Sequence, residues 1–113
     1  MLVAESRGQL VGFTAVGPTR DPDNDPRITG ELRIIIVDGA DRGAGVGSGL
    51  ITAGERAMRD SGFLAATLWV IPENARAVRV YERCGWSSDA TERLTNFAGR
   101  EIRSLRYRKQ LAP

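Results

Sequence analysis

A glycine-rich segment between an apolar strand and a helical pattern has the composition of a phosphate-binding turn. Residues 42–49 read Arg-Gly-Ala-Gly-Val-Gly-Ser-Gly, which places four glycines within seven residues. Free N–H groups and the positive end of the dipole at a helix start attract phosphate, and glycines let the backbone approach the anion closely. Because a turn alone does not require four glycines, the segment predicts an anion site, with a purely structural turn as the alternative.

The spacing of these glycines decides which phosphate ligand fits. A P-loop requires a lysine beside its last glycine, and the chain has no lysine before Lys109. The dinucleotide fingerprint GxGxxG fails in both registers, because its third glycine would fall on Ser48 when it starts at Gly43 and on Leu50 when it starts at Gly45. The segment therefore predicts neither a P-loop nor an NAD site.

The elements that position this turn alternate between β-prone runs and helical patterns. Apolar runs predict strands at Leu2–Glu5, Gln9–Val16, Glu31–Asp38, Leu64–Ile71, Thr91–Asn96 and Glu101–Lys109. Helical periodicity predicts helices at Val46–Asp60 and Ala75–Arg83. The order β-β-β-α-β-α-β-β predicts a mixed α/β (α+β) fold with one central sheet and a βαβ crossover through the glycine turn, in a single domain over residues 1–113.

Composition excludes several classes of site. The chain has no histidine, which excludes a His-based triad and a His-ligated metal. Cys84 is the only cysteine, so no internal disulfide forms, which favours the cytoplasm, and a packing role is expected for a thiol without a histidine base. No apolar stretch reaches the roughly 20 residues of a membrane helix. The net charge of +2 is spread along the chain, which argues against a nucleic-acid partner.

An acidic loop between the second and third strands raises the question of a metal site. The segment Asp21-x-Asp23-x-Asp25 begins like a calcium loop, but its sixth position is Pro26 and its twelfth is Leu32, where that loop needs glycine and glutamate. We therefore expect no metal. The loop is interpreted as solvated, with a surface facing the substrate as the alternative.

Two segments together resemble the signatures of GNAT acetyltransferases. Arg42-x-x-Gly45-x-Gly47, directly after Ile35-Ile36-Val37, is similar to the pyrophosphate-binding signature of that superfamily. The family's second signature is similar to the residues Leu68-Trp69-Val70, Asn74, Ala75, Ala77, Val78 and Tyr81-Glu82-Arg83-Cys84-Gly85-Trp86. The resemblance covers about residues 2–111 and implies the GNAT fold.

The resemblance implies acetyl-CoA (CoA) as co-substrate and a place for it. Pantetheine would lie where Ile34–Val37 separates from Thr67–Ile71, and the amides from Gly43 to Ser48 would bind the pyrophosphate. The cofactor-binding residues so implied are Ile36, Val37, Arg42, Gly43, Ala44, Gly45, Val46, Gly47, Ser48, Asn74 and Tyr81. Asn74 is either a pantetheine contact, a helix cap, or both.

The resemblance also implies two catalytic residues. Tyr81 matches the general acid that protonates the leaving thiolate, a role that a phenol with a pKa near 10 can perform. Glu31 matches a glutamate that accepts the proton of the amine, directly or through water. The alternatives are an aromatic anchor of an amphipathic helix for Tyr81 and a solvated carboxylate at a strand edge for Glu31.

The implied activity is N-acetyl transfer from acetyl-CoA to an amine of a small molecule or protein. The alternative is a non-catalytic acyl-CoA-binding module or a truncated remnant of such an enzyme. GNAT domains usually begin with a strand and two helices, whereas Met1 here stands next to the first hairpin, so we expect a form of the fold that lacks these elements. An exposed edge strand then predicts a homodimer with residues about 1–16 at the contact. No membrane partner is expected.

Overall fold

The computed structural model describes residues 2–6, 9–36 and 46–111, with side chains at 14–33 and 48–111. Its strands are β1 (Leu2–Ser6), β2 (Gln9–Pro18), β3 (Thr29–Ile36), β4 (Ala65–Val70), β5 (Ser87–Phe97) and β6 (Arg100–Gln110). Its helices are α1 (Val46–Asp60) and α2 (Ala75–Arg83). The predicted mixed α/β fold and its element order are confirmed, and both helices have the predicted bounds.

The six strands form one sheet in the order β1-β2-β3-β4-β6-β5. Neighbouring strands are antiparallel except β3 and β4, which are parallel and are joined through α1. The β5–β6 hairpin turns at Ala98 and Gly99, both of which have positive φ (53° and 78°). This is the backbone that a two-residue hairpin turn needs, and it fits the twist of the flanking strands.

Strand β5 is longer than the sequence predicts. It begins at Ser87 and not at Thr91, and its pairing with β6 shifts register between Ser88 and Glu92. Ala90 lies inside this irregular stretch with a φ of 64°. The bulge interrupts the period-two pattern on which strand prediction depends, which explains the late predicted start.

The core lies between α1 and the centre of the sheet. Leu32 of β3, Leu68 of β4 and Ile51 and Met58 of α1 are almost fully buried. The helix approaches the sheet closely at Gly54, where an added Cβ would lie 2.5 Å from a methyl carbon of Leu32. Cys84 packs half-buried against this core, in line with a packing role. Among the described residues, no helix combines the length and apolar character that crossing a membrane requires.

Candidate active site

A gap opens in the sheet between β3 and β4. The two strands pair only from Thr29↔Ala65 to Glu31↔Thr67. Beyond that point β3 pairs only with β2, as far as Ile36, and β4 pairs only with β6, as far as Val70. The edges of β3 and β4 that face each other are therefore unpaired over the rest of their described length. The separation predicted for Ile34–Val37 and Thr67–Ile71 is present as far as Ile36; Val37 lies outside the described residues, and Thr67 still pairs with Glu31. The gap leaves backbone donors and acceptors available to a ligand.

A cavity of about 310 Å³ lies beside the start of this gap. Both predicted catalytic residues, Glu31 and Tyr81, line it. Its other lining residues come from the acidic loop and from strands β3, β4 and β5: Arg20, Asp21, Leu32, Arg33, Trp69 and Arg93. The fold thus brings together two residues that are 50 positions apart in the chain.

Tyr81 reaches the cavity from α2. Its side chain is half-buried and packs against the core, and burial raises the pKa of its phenol above the ordinary value of 10. The end of its helix is held by two N–H groups, since those of Cys84 and Trp86 both donate to the Tyr81 carbonyl. Tyr81 therefore remains protonated over the physiological range, as a proton donor must.

Glu31 is buried in the middle of the sheet. It is only 5% exposed, which corrects the interpretation as a solvated strand-edge carboxylate. An oxygen of its carboxylate lies 2.6 Å from Nη2 of Arg33, and Nη2 of Arg20 lies 3.5 Å away. Glu31 is the third residue of β3, which lies inside the sheet between β2 and β4 and not at its edge.

Asn74 caps α2. Its Oδ1 accepts a hydrogen bond from the Ala77 N–H at 3.2 Å, so the cap alternative is confirmed, whereas a contact to pantetheine stays a prediction. In the predicted anion-binding segment, residues 42–49, α1 begins at Val46 and includes Gly47 and Ser48 in its first turn. Ile36 ends β3.

Five predicted cofactor-binding residues lie outside the described residues, namely Val37, Arg42, Gly43, Ala44 and Gly45.

A buried arginine fixes the acidic loop to the sheet. Arg106 of β6 donates all five of its N–H groups: Nε to Asp89 at 2.7 Å, Nη1 to Asp21 at 3.3 Å and to Asp23 at 2.7 Å, and Nη2 to Asp23 at 2.7 Å and to Thr91 at 3.2 Å. The interpretation of this loop as solvated is therefore wrong for Asp21. Sequence reasoning missed Arg106, since nothing local connects residues 85 positions apart.

Trp69 connects this loop to the cavity. Its indole N–H donates to Asp21 Oδ1 at 3.1 Å, which fixes the ring. The guanidinium carbon of Arg93 lies 4.2 Å from the centroid of that ring, a cation–π geometry. The place of Trp69 in the second signature segment, directly after Leu68, could have indicated from the sequence that it lies at the site.

A comparison with family models bears directly on this site. The model described as "Acetyltransferase (GNAT) family" matches residues 1–86, a span that includes the gap, Glu31 and Tyr81. The chain belongs to this GNAT family. The predicted resemblance is thereby confirmed, since the match takes in both signature segments.

Curated relatives give a more specific similarity. The chain is 36% identical over 102 residues to mycothiol acetyltransferase of Parafrankia sp. (strain EAN1pec), covering 80% of the chain and 32% of the relative. It is 41% identical over 93 residues to mycothiol acetyltransferase of Propionibacterium freudenreichii subsp. shermanii, covering 81% and 29%. The chain thus spans about a third of the length of these relatives.

Solved structures share the fold. A Salmonella typhimurium protein solved with its cofactor acetyl-CoA has a TM-score of 0.79 at 23% identity, covering 96% of this chain and 62% of that one. The ribosomal-protein-alanine N-acetyltransferase of Brucella melitensis has a TM-score of 0.80 at 25% identity, covering 96% and 66%. These similarities confirm the predicted GNAT fold.

Proposed function

We propose that this GNAT chain binds acetyl-CoA and transfers its acetyl group to an amine. The observation that carries the proposal is the gap between β3 and β4, which opens beside a cavity containing Glu31 and Tyr81. A small-molecule amine is favoured as acceptor, because curated relatives of the chain are named mycothiol acetyltransferases. A protein amine is the alternative.

Two parts of the chain would hold the co-substrate, namely the unpaired edge of β3 and the start of α1. The unpaired backbone beyond Glu31, including Ile36, offers hydrogen bonds to the amide groups of pantetheine, with Val37 next in the chain. The first turn of α1, with Val46, Gly47 and Ser48, offers N–H groups and a helix dipole to a pyrophosphate, together with the preceding segment from Arg42. When bound, acetyl-CoA supplies the activated thioester.

The residues of the chain then perform two proton transfers. The amine nitrogen attacks the thioester carbonyl, a C–N bond forms and the C–S bond breaks. Tyr81 gives its proton to the departing thiolate, since a phenol with a raised pKa is protonated at neutral pH. The proton that the nitrogen loses passes to Glu31, through water in the cavity. No metal is required, because the thioester is already activated.

Ligand-dependent melting tests the cofactor assignment. We expect CoA and acetyl-CoA to raise the Tm while NAD and ATP do not, because the glycine spacing fits neither nucleotide motif. At about 100 times its Kd, a ligand adds about 2.7 kcal/mol to the free energy of unfolding. Equal stabilisation by NAD would contradict the assignment.

A matched pair of variants localises that effect. Gly47→Glu puts bulk and negative charge at the start of α1, where a pyrophosphate would lie, and is expected to abolish the CoA shift. The Tm without ligand should stay near wild type, since a carboxylate is favourable at a helix N-terminus. Thr52→Glu adds the same side chain at an exposed position of the same helix and should keep the shift.

The alternative of a binding module without activity requires a separate measurement. Both readings predict CoA binding, so the melting experiment does not separate them. Product formation from acetyl-CoA does, with a panel that includes small-molecule primary amines and a peptide with a free N-terminus. Binding of CoA without product from any acceptor would favour the non-catalytic module.

Self-association is part of the proposal. β1 lies at one edge of the described sheet and offers unpaired backbone groups to another chain. We propose a cytoplasmic homodimer with residues about 1–16 at the contact. Size-exclusion chromatography with light scattering should give twice the chain mass of 12.3 kDa at tens of micromolar. A monomer at that concentration would contradict the prediction.

A further inference from the structure

We infer that the acceptor carries an anionic group, a carboxylate or phosphate, which Arg33 and Arg93 bind inside the cavity beside Glu31. The inference rests on the proposed function, because it assigns a chemical class to the acceptor of that site. It is carried by the charges and contacts of the residues that line the cavity.

The cavity has an excess of positive charge. Three guanidinium groups line it, from Arg20, Arg33 and Arg93, against the two carboxylates of Asp21 and Glu31. One of those carboxylates is already engaged, since Asp21 accepts from Arg106, which does not line the cavity, and from the indole of Trp69, which does. The other carboxylate lies against Arg33 and Arg20, so no internal anion is left for the third guanidinium.

Arg33 has a donor that no described residue uses. Its Nη2 lies 2.6 Å from a Glu31 oxygen, but its Nε is buried and makes no hydrogen bond to any described residue. An unpaired buried donor is costly, and the cost is recovered when a ligand oxygen accepts from it. Because Arg33 also lines the cavity, we place an anionic oxygen of the acceptor against this N–H.

Arg93 presents a second guanidinium to the cavity, above the Trp69 ring. Its guanidinium carbon lies 4.2 Å from the centroid of the Trp69 ring, and that ring is held by its hydrogen bond to Asp21. Stacking leaves the N–H groups at the edge of the guanidinium available, and this planar fork matches two oxygens of a carboxylate or phosphate. Within the described part of the chain Arg93 forms no ion pair with a carboxylate.

The positive charge also suits the chemistry. A neighbouring positive charge lowers the pKa of a bound amine, which favours the neutral form that attacks a thioester. The same charge repels an incoming ammonium group. An anionic group on the acceptor offsets that repulsion. An amine that carries a carboxylate or phosphate could therefore enter the cavity and still have its pKa lowered there.

Binding is tested without turnover by NMR of the indole N–H groups. The probes are two pairs that differ only in the anion: β-alanine with β-alaninamide, and phosphoethanolamine with ethanolamine. The Trp69 signal, assigned with Trp69→Phe, should shift on titration with the acidic member of at least one pair, at about 10-fold lower Kd than its neutral partner. The buried indole of Trp86 serves as the internal reference.

Two variants assign the effect to Arg93. Arg93→Gln should reduce the preference for the acidic probe to less than about 3-fold. Arg100→Gln removes an exposed arginine from the same hairpin, outside the cavity, and should keep the preference. Where acetyl transfer is measurable, Arg93→Gln should also lower the ratio of kcat/KM for acidic over neutral acceptors, with KM for acetyl-CoA unchanged. Arg100→Gln should leave that ratio as it is in wild type.

Other outcomes would overturn the inference. Equal affinity for the members of both pairs would show that the cavity does not recognise an anion. If CoA alone shifts the Trp69 signal and abolishes binding of the acidic probes, the anion bound by Arg93 is a cofactor phosphate. Because the NMR titration is done with and without CoA and needs no product, a failure of acetyl transfer is distinguishable from a failure of anion binding.

Discussion

Replacing Tyr81 by phenylalanine is expected to lower kcat by about 10²–10⁴-fold, the usual contribution of a positioned general acid. The change keeps the ring that packs against the core and removes only the proton. In the described part of the chain the phenol oxygen has no hydrogen-bond partner, so the Tm should stay close to wild type. Steady-state kinetics with saturating acetyl-CoA and thermal melting measure the two effects.

The chain offers a matched control in its other tyrosine. Tyr107 is also buried, but its hydroxyl donates to Glu82 Oε2 at 3.1 Å. Tyr107→Phe should therefore lower the free energy of unfolding by about 1 kcal/mol, the net value of one hydrogen bond, and leave kcat within a few-fold. If Tyr81→Phe instead keeps both kcat and Tm, Tyr81 is not the acid, and if it mainly lowers Tm, its role is packing.

The pH profile gives an independent check on Tyr81. A general acid acts in its protonated form, so the rate falls as the pH rises through its pKa. Because burial raises that pKa above 10, Tyr81 should cause no decline in kcat below about pH 10. A decline centred well below that value would have to come from another group, and it would persist in Tyr81→Phe.

The elements were predictable from the sequence because their signals are local. The glycine segment sets the start of α1, and Asn74 followed by Ala75 sets the start of α2. The hairpin around Ala98 and Gly99 needs only a turn between two runs of alternating residues. The family resemblance supplied Tyr81 and Glu31, and the fold places both on one cavity.

What the sequence could not predict depends on contacts between distant residues. The placement of β6 between β4 and β5 buries Arg106, and only that placement explains why the acidic loop lies against the sheet. The burial of Glu31 follows from the position of β3 inside the sheet. Composition and periodicity carry no information on which charges meet across 85 residues, so the charge balance of the cavity became visible only in the fold.

Arg106→Met is expected to lower the free energy of unfolding by about 3 kcal/mol. The Arg106 side chain is 5% exposed and that of Asp21 is 9% exposed, so the variant leaves a buried carboxylate without its cation. Breaking such a pair from one side costs about 3–5 kcal/mol, and we take the lower end because Asp23 and Asp89 can turn to solvent. At this chain length the Tm should fall by about 10 °C.

The control for Arg106 lies on the same strand. Arg103 pairs with Glu92, and both side chains are about half exposed, so Arg103→Met should cost less than about 1 kcal/mol. A drop in Tm as large as that of Arg106→Met would show that replacing any arginine of β6 destabilises the fold, and that the buried network is not the cause.

The pH dependence of the Arg106 effect identifies its electrostatic part. The hydrogen bond from Arg106 lowers the pKa of Asp23 below 3.8. A carboxyl group whose pKa is lower in the folded than in the unfolded state stabilises the fold at pH values above its unfolded-state pKa. That stabilisation is lost as the pH falls through its folded-state pKa. The difference in unfolding free energy between wild type and Arg106→Met should therefore be constant from about pH 5 to 8 and shrink below about pH 4. A difference that is unchanged at low pH would mean that Arg106 stabilises the fold mainly through the packing of its aliphatic stem.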